Sequence, residues 1–180
     1  MKSDLPFTSS GPLVWTQPKA MSRAYELRSA DSLIGHLRFE KSCGSLASAA
    51  VASQKWTFKR VGFLAPRVAV RSADLEADIA LFRPDWGGGG ILRFADGHEA
   101  QWRSTNFWRS QWAFLGSDNQ IVVQFRHHEG FFKASAQLEF ERSGAALPEF
   151  PLLAALGWYL MILAADDAAA VAVVTSTVIG

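Results

Sequence analysis

Cysteine is almost absent. Cys43 is the single one in 180 residues, which excludes an internal disulfide and any metal site built on several thiolates, and fits a reducing compartment. Positive charge is missing from the C-terminal stretch: all eighteen Lys and Arg lie at or before Arg142, and beyond it only Glu149, Asp166 and Asp167 carry charge. The net charge is +1, so overall charge makes no case for nucleic acid as a partner. The N-terminus, MKSDLPFTSSGPLVW, has no apolar run after Lys2, so a secretory signal is not expected.

Motifs that carry chemistry are also lacking. No G-x-S-x-G elbow is present to expose a nucleophile, and Cys43, in Ser42-Cys43-Gly44-Ser45, has no His beside it in sequence. Gly87 to Gly90 is followed by Ile91-Leu92 where a phosphate loop needs GK[ST], so it reads as a mobile connection. His36 and His98 are isolated. His127 and His128 are adjacent, and on a strand they point to opposite faces and cannot readily grip one ion. Asp74, Glu76 and Asp78 alternate and read as a solvated face. The expectation is a chain without enzymatic activity, cofactor or metal.

What is present is β pattern. After a loose lead-in over 1–12, short runs recur at 13–17, 23–29, 32–40, 46–52, 54–61, 67–72, 77–83, 90–95, 98–103, 111–116, 120–127 and 133–142, separated by turn signals. In Lys55-Trp56-Thr57-Phe58-Lys59 the aromatics face one way and the lysines bracket the other. Val68 and Val70 alternate with Arg67, Ala69 and Arg71 in the same way. Asp96-Gly97 and Ser117-Asp118-Asn119 mark hairpins. The Ala-rich run 46–52 suits a helix as well as a strand. The pattern is that of one domain, mainly β, in which each strand has a wet and a dry face.

The exception is LPEFPLLAALGWYLMILAA, Leu147 to Ala165, uncharged from Phe150 onward and apolar on every face. A helix of this kind is wrapped by protein or lies in lipid. Pro148 and Pro151 suit its first turn. Sixteen residues from Phe150 to Ala165 span ~24 Å, short of a hydrocarbon core of ~30 Å. Crossing would place Asp166 and Asp167 in lipid at ~2.5–3.5 kcal/mol each near the centre. The length therefore favours burial in protein, with the tail 166–180 as frayed helix or irregular chain.

Three features together, the strand number, Tyr25-Glu26-Leu27 leading into Leu33-Ile34-Gly35-His36-Leu37, and the terminal LPEFPLLAALGWYLMILAA, resemble the tubby C-terminal-like superfamily of tubby proteins, phospholipid scramblases and LURP-one-related proteins. The resemblance implies a closed antiparallel barrel of about twelve strands over 13–165 around a buried C-terminal helix, 149–165. It also implies a non-enzymatic binding or scaffold module in the cytoplasm that meets anionic phospholipid at a membrane surface or a protein partner. The cysteine-rich segment and acidic metal loop of scramblases are missing, and no phosphoinositide-contacting residue of tubby proteins is matched. Two other readings stand beside this one, a tail-anchored protein with a cytosolic barrel head and a small-molecule-binding barrel.

Charge clustering points to an anion site. If 54–61 and 67–72 pair as a hairpin, Lys55, Lys59, Arg60, Arg67 and Arg71 gather on its outward face, where an anionic partner would bind. In QWRSTNFWRSQW, Trp102, Trp108 and Trp112 alternate with Arg103 and Arg109. Core packing is the favoured reading for these indoles, and a headgroup-level patch is the other.

Overall fold

The computed structural model of the chain describes residues 12–30, 32–128 and 134–178, with His128 and residues 173–178 described by backbone alone. Most of the lead-in, Lys133 of the last expected strand and the end of the tail lie outside the described residues. Twelve strands follow in order: β1 (Leu13–Thr16), β2 (Ala24–Ser29), β3 (Ser32–Phe39), β4 (Ala47–Val51), β5 (Gln54–Val61), β6 (Arg67–Ser72), β7 (Ala77–Pro84), β8 (Gly90–Phe94), β9 (Glu99–Ser104), β10 (Gln111–Leu115), β11 (Ile121–His128) and β12 (Ser135–Glu139). Each pairs antiparallel with the next, and β12 returns to β1, Leu13 facing Leu138, so the sheet closes into a barrel with no free edge.

The alternation decides which faces turn in. Trp56 and Phe58 of β5, Val68 and Val70 of β6, and Ala136 and Leu138 of β12 are buried. Lys55 and Lys59, which flank Trp56 and Phe58, are exposed. The hairpin at Asp96-Gly97 forms as its residues dictate: the Asp96 carboxylate accepts the His98 N–H at 3.1 Å, and Gly97 takes φ +94°, which a side chain resists. The Ala-rich run is a strand. Ala47 and Ala49 face the lumen beside Phe58 and Trp56 on β5, and small residues against large ones fit a crowded barrel interior. Here tertiary packing overrides the helical propensity of alanine.

Two helices complete the chain: α1 (Arg142–Ala145) and α2 (Phe150–Val178). The expected strand to 142 stops at Glu139, and Arg142 begins α1 instead. α2 threads the barrel. From Phe150 to Leu163 every residue but half-buried Met161 is buried. Trp15 stacks on Trp158 with ring centres 6.2 Å apart, and its Nε1–H donates to the Ala154 carbonyl at 3.1 Å. Phe39 and Phe58 close on Tyr159 at 5.5 and 5.2 Å. A helix apolar all round is what a closed wall of inward side chains requires.

The length differs from the sequence-based expectation. α2 has 29 residues and runs through Ala165 to Val178, ~43 Å at 1.5 Å per residue. Asp166 and Asp167 do not end it, because they fall where the helix has already left the barrel and they meet Arg23 and Arg60 at its rim. The alanines that follow are the best helix formers.

Candidate functional site

In a meander barrel alternate connections fall at the same end. The connections after β2 and at 52–53, 73–76, 95–98 and 116–120 surround the end covered by α1. The connections 17–23, 40–46, 62–66, 85–89 and 105–110 surround the mouth from which α2 emerges. The two ends differ in chemistry. The α1 end exposes the acids Asp74, Glu76, Asp96, Asp118 and Glu141 with the cations Lys55, Arg71 and Arg142. The mouth exposes the cations Lys19, Lys41, Arg67, Arg83 and Arg109 with the acids Glu40 and Asp85. It also carries the six most exposed large apolar side chains among the described residues: Met21, Phe63, Leu64, Trp86, Phe107 and Trp108, each at least 82% exposed.

Four of these side chains, Met21, Trp86, Phe107 and Trp108, are held out by braced loops. In 105–110 the Asn106 amide donates to Ser110 Oγ at 2.7 Å, and its Oδ1 accepts the Gln111 N–H at 3.1 Å. Trp112 Nε1 donates to the Arg109 carbonyl at 2.9 Å, and Arg109 takes a left-handed φ of +55°. Thus Phe107 and Trp108 point outward from a braced turn. In 85–89 the Asp85 carboxylate accepts the N–H groups of Gly87 at 2.7 Å and Gly89 at 3.0 Å. That consumes the donors a phosphate would use and presents Trp86 at the tip. In 17–23 the Gln17 amide donates to the Ser22 carbonyl at 2.6 Å. Met21 sits beyond it at φ +63°.

Polar bonds fasten the helix to this mouth. Asp167 takes two hydrogen bonds from the Arg60 guanidinium, at 2.9 and 2.8 Å. The bond to the Asp167 carboxylate raises the Arg60 pKa. Asp166 pairs with Arg23. Arg23 in turn donates to the carbonyls of Ser42 at 3.0 Å and Gly44 at 3.1 Å and lies 4.0 Å over the Phe39 ring. Tyr159 donates to the Ser45 carbonyl at 2.6 Å, and burial raises its pKa above the ordinary range.

Between 62–66 and 85–89 lies a groove of about 590 Å³ lined by Leu64, Pro66, Arg67, Arg83, Trp86 and Asp85, whose carboxylate is engaged by the Gly87 and Gly89 N–H groups. One step beyond the Val68–Phe82 pair, the register brings Arg67 opposite Arg83. Neither guanidinium has an ion-pair partner among the described residues. Like charges opposed across a ladder cost ~0.2–1 kcal/mol, a cost that an anion between them removes.

Of the five cations expected to share one outward face, Lys55, Lys59, Arg67 and Arg71 are exposed on it, spread along its length, and Arg60 is not. Lys55 and Arg71 lie toward the α1 end, and Arg71 donates to the Glu76 carbonyl. Lys59, sixth of the eight residues of β5, lies nearer the mouth, and Arg67 is at the mouth. Arg60 shares the inward parity of Trp56 and Phe58 and is engaged by Asp167. The tryptophan cluster divides too. Trp102 is buried and stacks at 5.4 Å on half-buried Trp112, while Trp108 is exposed. Arg83 went unrecognised in the sequence, because only the barrel register sets it against Arg67.

Among the described residues no group of three or more His, Cys, Asp or Glu could hold a metal ion. Compared with protein-family models, curated proteins and solved structures, the chain finds no match.

Proposed function

We propose that the protein is a non-enzymatic binding module that applies the mouth of its barrel to an anionic phospholipid surface. One observation carries the reading: a single end of the barrel gathers the six most exposed aromatic and aliphatic loop tips with arginines that have no ion-pair partner among the described residues, while the other end is mainly polar and exposes more acids than cations. Aromatic rings suit the headgroup level of a bilayer, and each Lys or Arg near an anionic leaflet contributes ~1 kcal/mol. In this arrangement Trp86 and Leu64 lie against the bilayer beside Arg67 and Arg83, and a lipid phosphate lies between the two guanidinium groups. The acidic α1 end points away from the membrane, as an anionic surface requires. The resemblance to tubby-like barrels supports the same class of partner. The small-molecule reading loses support because α2 occupies the lumen.

Vesicle flotation tests the proposal. The full chain should float with phosphatidylserine-containing vesicles at low salt, and binding should weaken as salt rises, because exposed charges are screened over ~8–10 Å. Arg67→Glu with Arg83→Glu should weaken flotation at least tenfold. Lys55→Glu, on the wall toward the other end, should leave it near the wild type. Equal loss from both variants would move the site to the wall, and no flotation with any anionic vesicle would remove the reading.

A further inference from the structure

The helix does not stop at the mouth. Ala164 to Ala172 are exposed, Val171 among them at 66%, and the backbone stays helical to Val178. Past Asp167 the sequence reads AAAVAVVTSTV, with no charge. Such a segment is poorly suited to water. Its β-branched residues are weak helix formers, and no side chain on it is long and polar enough to shield the backbone. An apolar phase reverses the balance, because there the backbone must satisfy its own hydrogen bonds and a helix does so. The stretch Phe150–Ala172 has the length and composition of a membrane span, yet 61% of its most apolar window is already buried in the barrel. Only the emerging half is available to lipid.

We infer that α2 beyond Asp167 inserts into the near leaflet of the bilayer while its first half stays inside the barrel, so one helix is both the core of the fold and its membrane anchor. The inference rests on the membrane-docking reading of the mouth and adds depth and geometry to it. Its occupant is a lipid bilayer, and the surroundings argue for that choice. The helix rises from within a ring of outward aromatic tips and cations, which matches a headgroup layer in both polarity and charge. Asp166 and Asp167, which would oppose insertion, are held at the mouth by Arg23 and Arg60. Asp167 lines the same cavity as Trp86, so the paired carboxylates stay near the level of the aromatic tips. From Ala168 to Val178 the helix reaches ~16 Å further, about half of a ~30 Å hydrocarbon core.

A fluorophore at position 171 tests the inference. In a Cys43→Ser background, Val171→Cys and Leu75→Cys carry an environment-sensitive label on the emerging helix and at the α1 end respectively. With vesicles containing phosphatidylserine and phosphatidylcholine brominated high on the acyl chain, the label at 171 should shift to the blue and be quenched, and the label at 75 should do neither. Val171→Asp should weaken partitioning about tenfold, the penalty for a carboxylate just inside the apolar region, with an unchanged melting temperature in the absence of lipid. Flotation with the label at 171 still in water would overturn insertion and leave surface docking intact. Failure to float at all would remove the docking reading and this inference with it. A blue shift at 171 that needs no vesicles, rises with protein concentration and accompanies sedimentation as a dimer would assign the helix to a second copy and overturn the inference.

Discussion

Gly157→Ala should destabilise the protein, although alanine is the better helix former. Gly157 lies in the buried half of α2, where the helix passes closest to β11. A methyl group there would lie 2.4 Å from both Cε2 and Cζ of Phe125 and 3.1 Å from Cζ3 of Trp102. Carbon atoms prefer ~3.5–4.0 Å, so two contacts overlap by more than ~1 Å. Relief is hard to find. Phe125 is fully buried, with its ring edge-on to Trp102 at 5.5 Å, and Trp102 is held by Phe114 at 4.7 Å. The helix cannot retreat, because Phe39 and Phe58 already press on Tyr159 from the β3 and β5 wall.

Overpacking of this kind costs typically ~1–3 kcal/mol, and the tightness of these contacts places it at the upper end. Replacing glycine in a helix returns ~1 kcal/mol. The net loss is ~2 kcal/mol, a fall in Tm of roughly 4–8 °C for a chain of this size. Urea and thermal unfolding followed by tryptophan fluorescence measure it. Phe125→Ala alone should cost ~3–5 kcal/mol. Adding Gly157→Ala in that background should be neutral or stabilising, because the methyl then enters the space the ring has left. A stabilised Gly157→Ala single variant, or additive losses in the double, would show that α2 does not run against Phe125 and that the threading described here is wrong.

Leu156 is fully buried on the helix, so Leu156→Ala should cost ~2–5 kcal/mol, while Glu141→Ala, exposed near α1, should melt like the wild type; equal melting of the two would make α2 an appendage. The two tyrosines, Tyr25 and Tyr159, both have pKa values raised by burial, so above pH ~10 the folded state holds protons that the unfolded state releases, and stability falls as pH rises. Phenolate absorbance should appear together with unfolding, with a shallower alkaline loss in Tyr159→Phe, and a phenolate signal well before unfolding would contradict the burial of these rings.

Much of the architecture was legible because barrel and helix obey different periods. The aromatics of Lys55-Trp56-Thr57-Phe58-Lys59 and the valines of Arg67-Val68-Ala69-Val70-Arg71 show period two, and both runs occupy the expected strands with the expected face inward. The all-round apolar run from Phe150 has no stripe, which leaves protein or lipid around it, and its length favoured protein. The length of α2 was not legible. A pair of aspartates after Ala165 reads as an end until Arg23 and Arg60, 143 and 107 residues away in the chain, are known to meet them. Nor was the inward turn of Arg60 recognised, although it follows from the same alternation: it has the parity of Phe58, and clustering by charge alone ignored that.

The mouth itself could have been found from sequence by carrying the closure rule one step further. In a meander each turn reverses the chain, so the turns divide strictly into two sets by order. One set holds Met21, Phe63-Leu64, Trp86 and Phe107-Trp108; the other holds Ala52-Ser53, Asp74, Asp96-Gly97 and Ser117-Asp118-Asn119. The six most exposed large apolar tips among the described residues fall in the first set; the second is mainly hairpin-forming polar residues, with Leu75, 70% exposed, as its large apolar exception. Random placement would mix them, and burial cannot explain the split, because both sets are exposed. Fold stability has no use for six bare apolar tips, four of them on braced loops, which lower solubility unless something covers them. The emerging helix adds the same demand at the centre of the same ring. A partner that is apolar in depth, anionic at its surface and broad enough to meet five loops and a helix at once satisfies all three observations, and a bilayer has those properties.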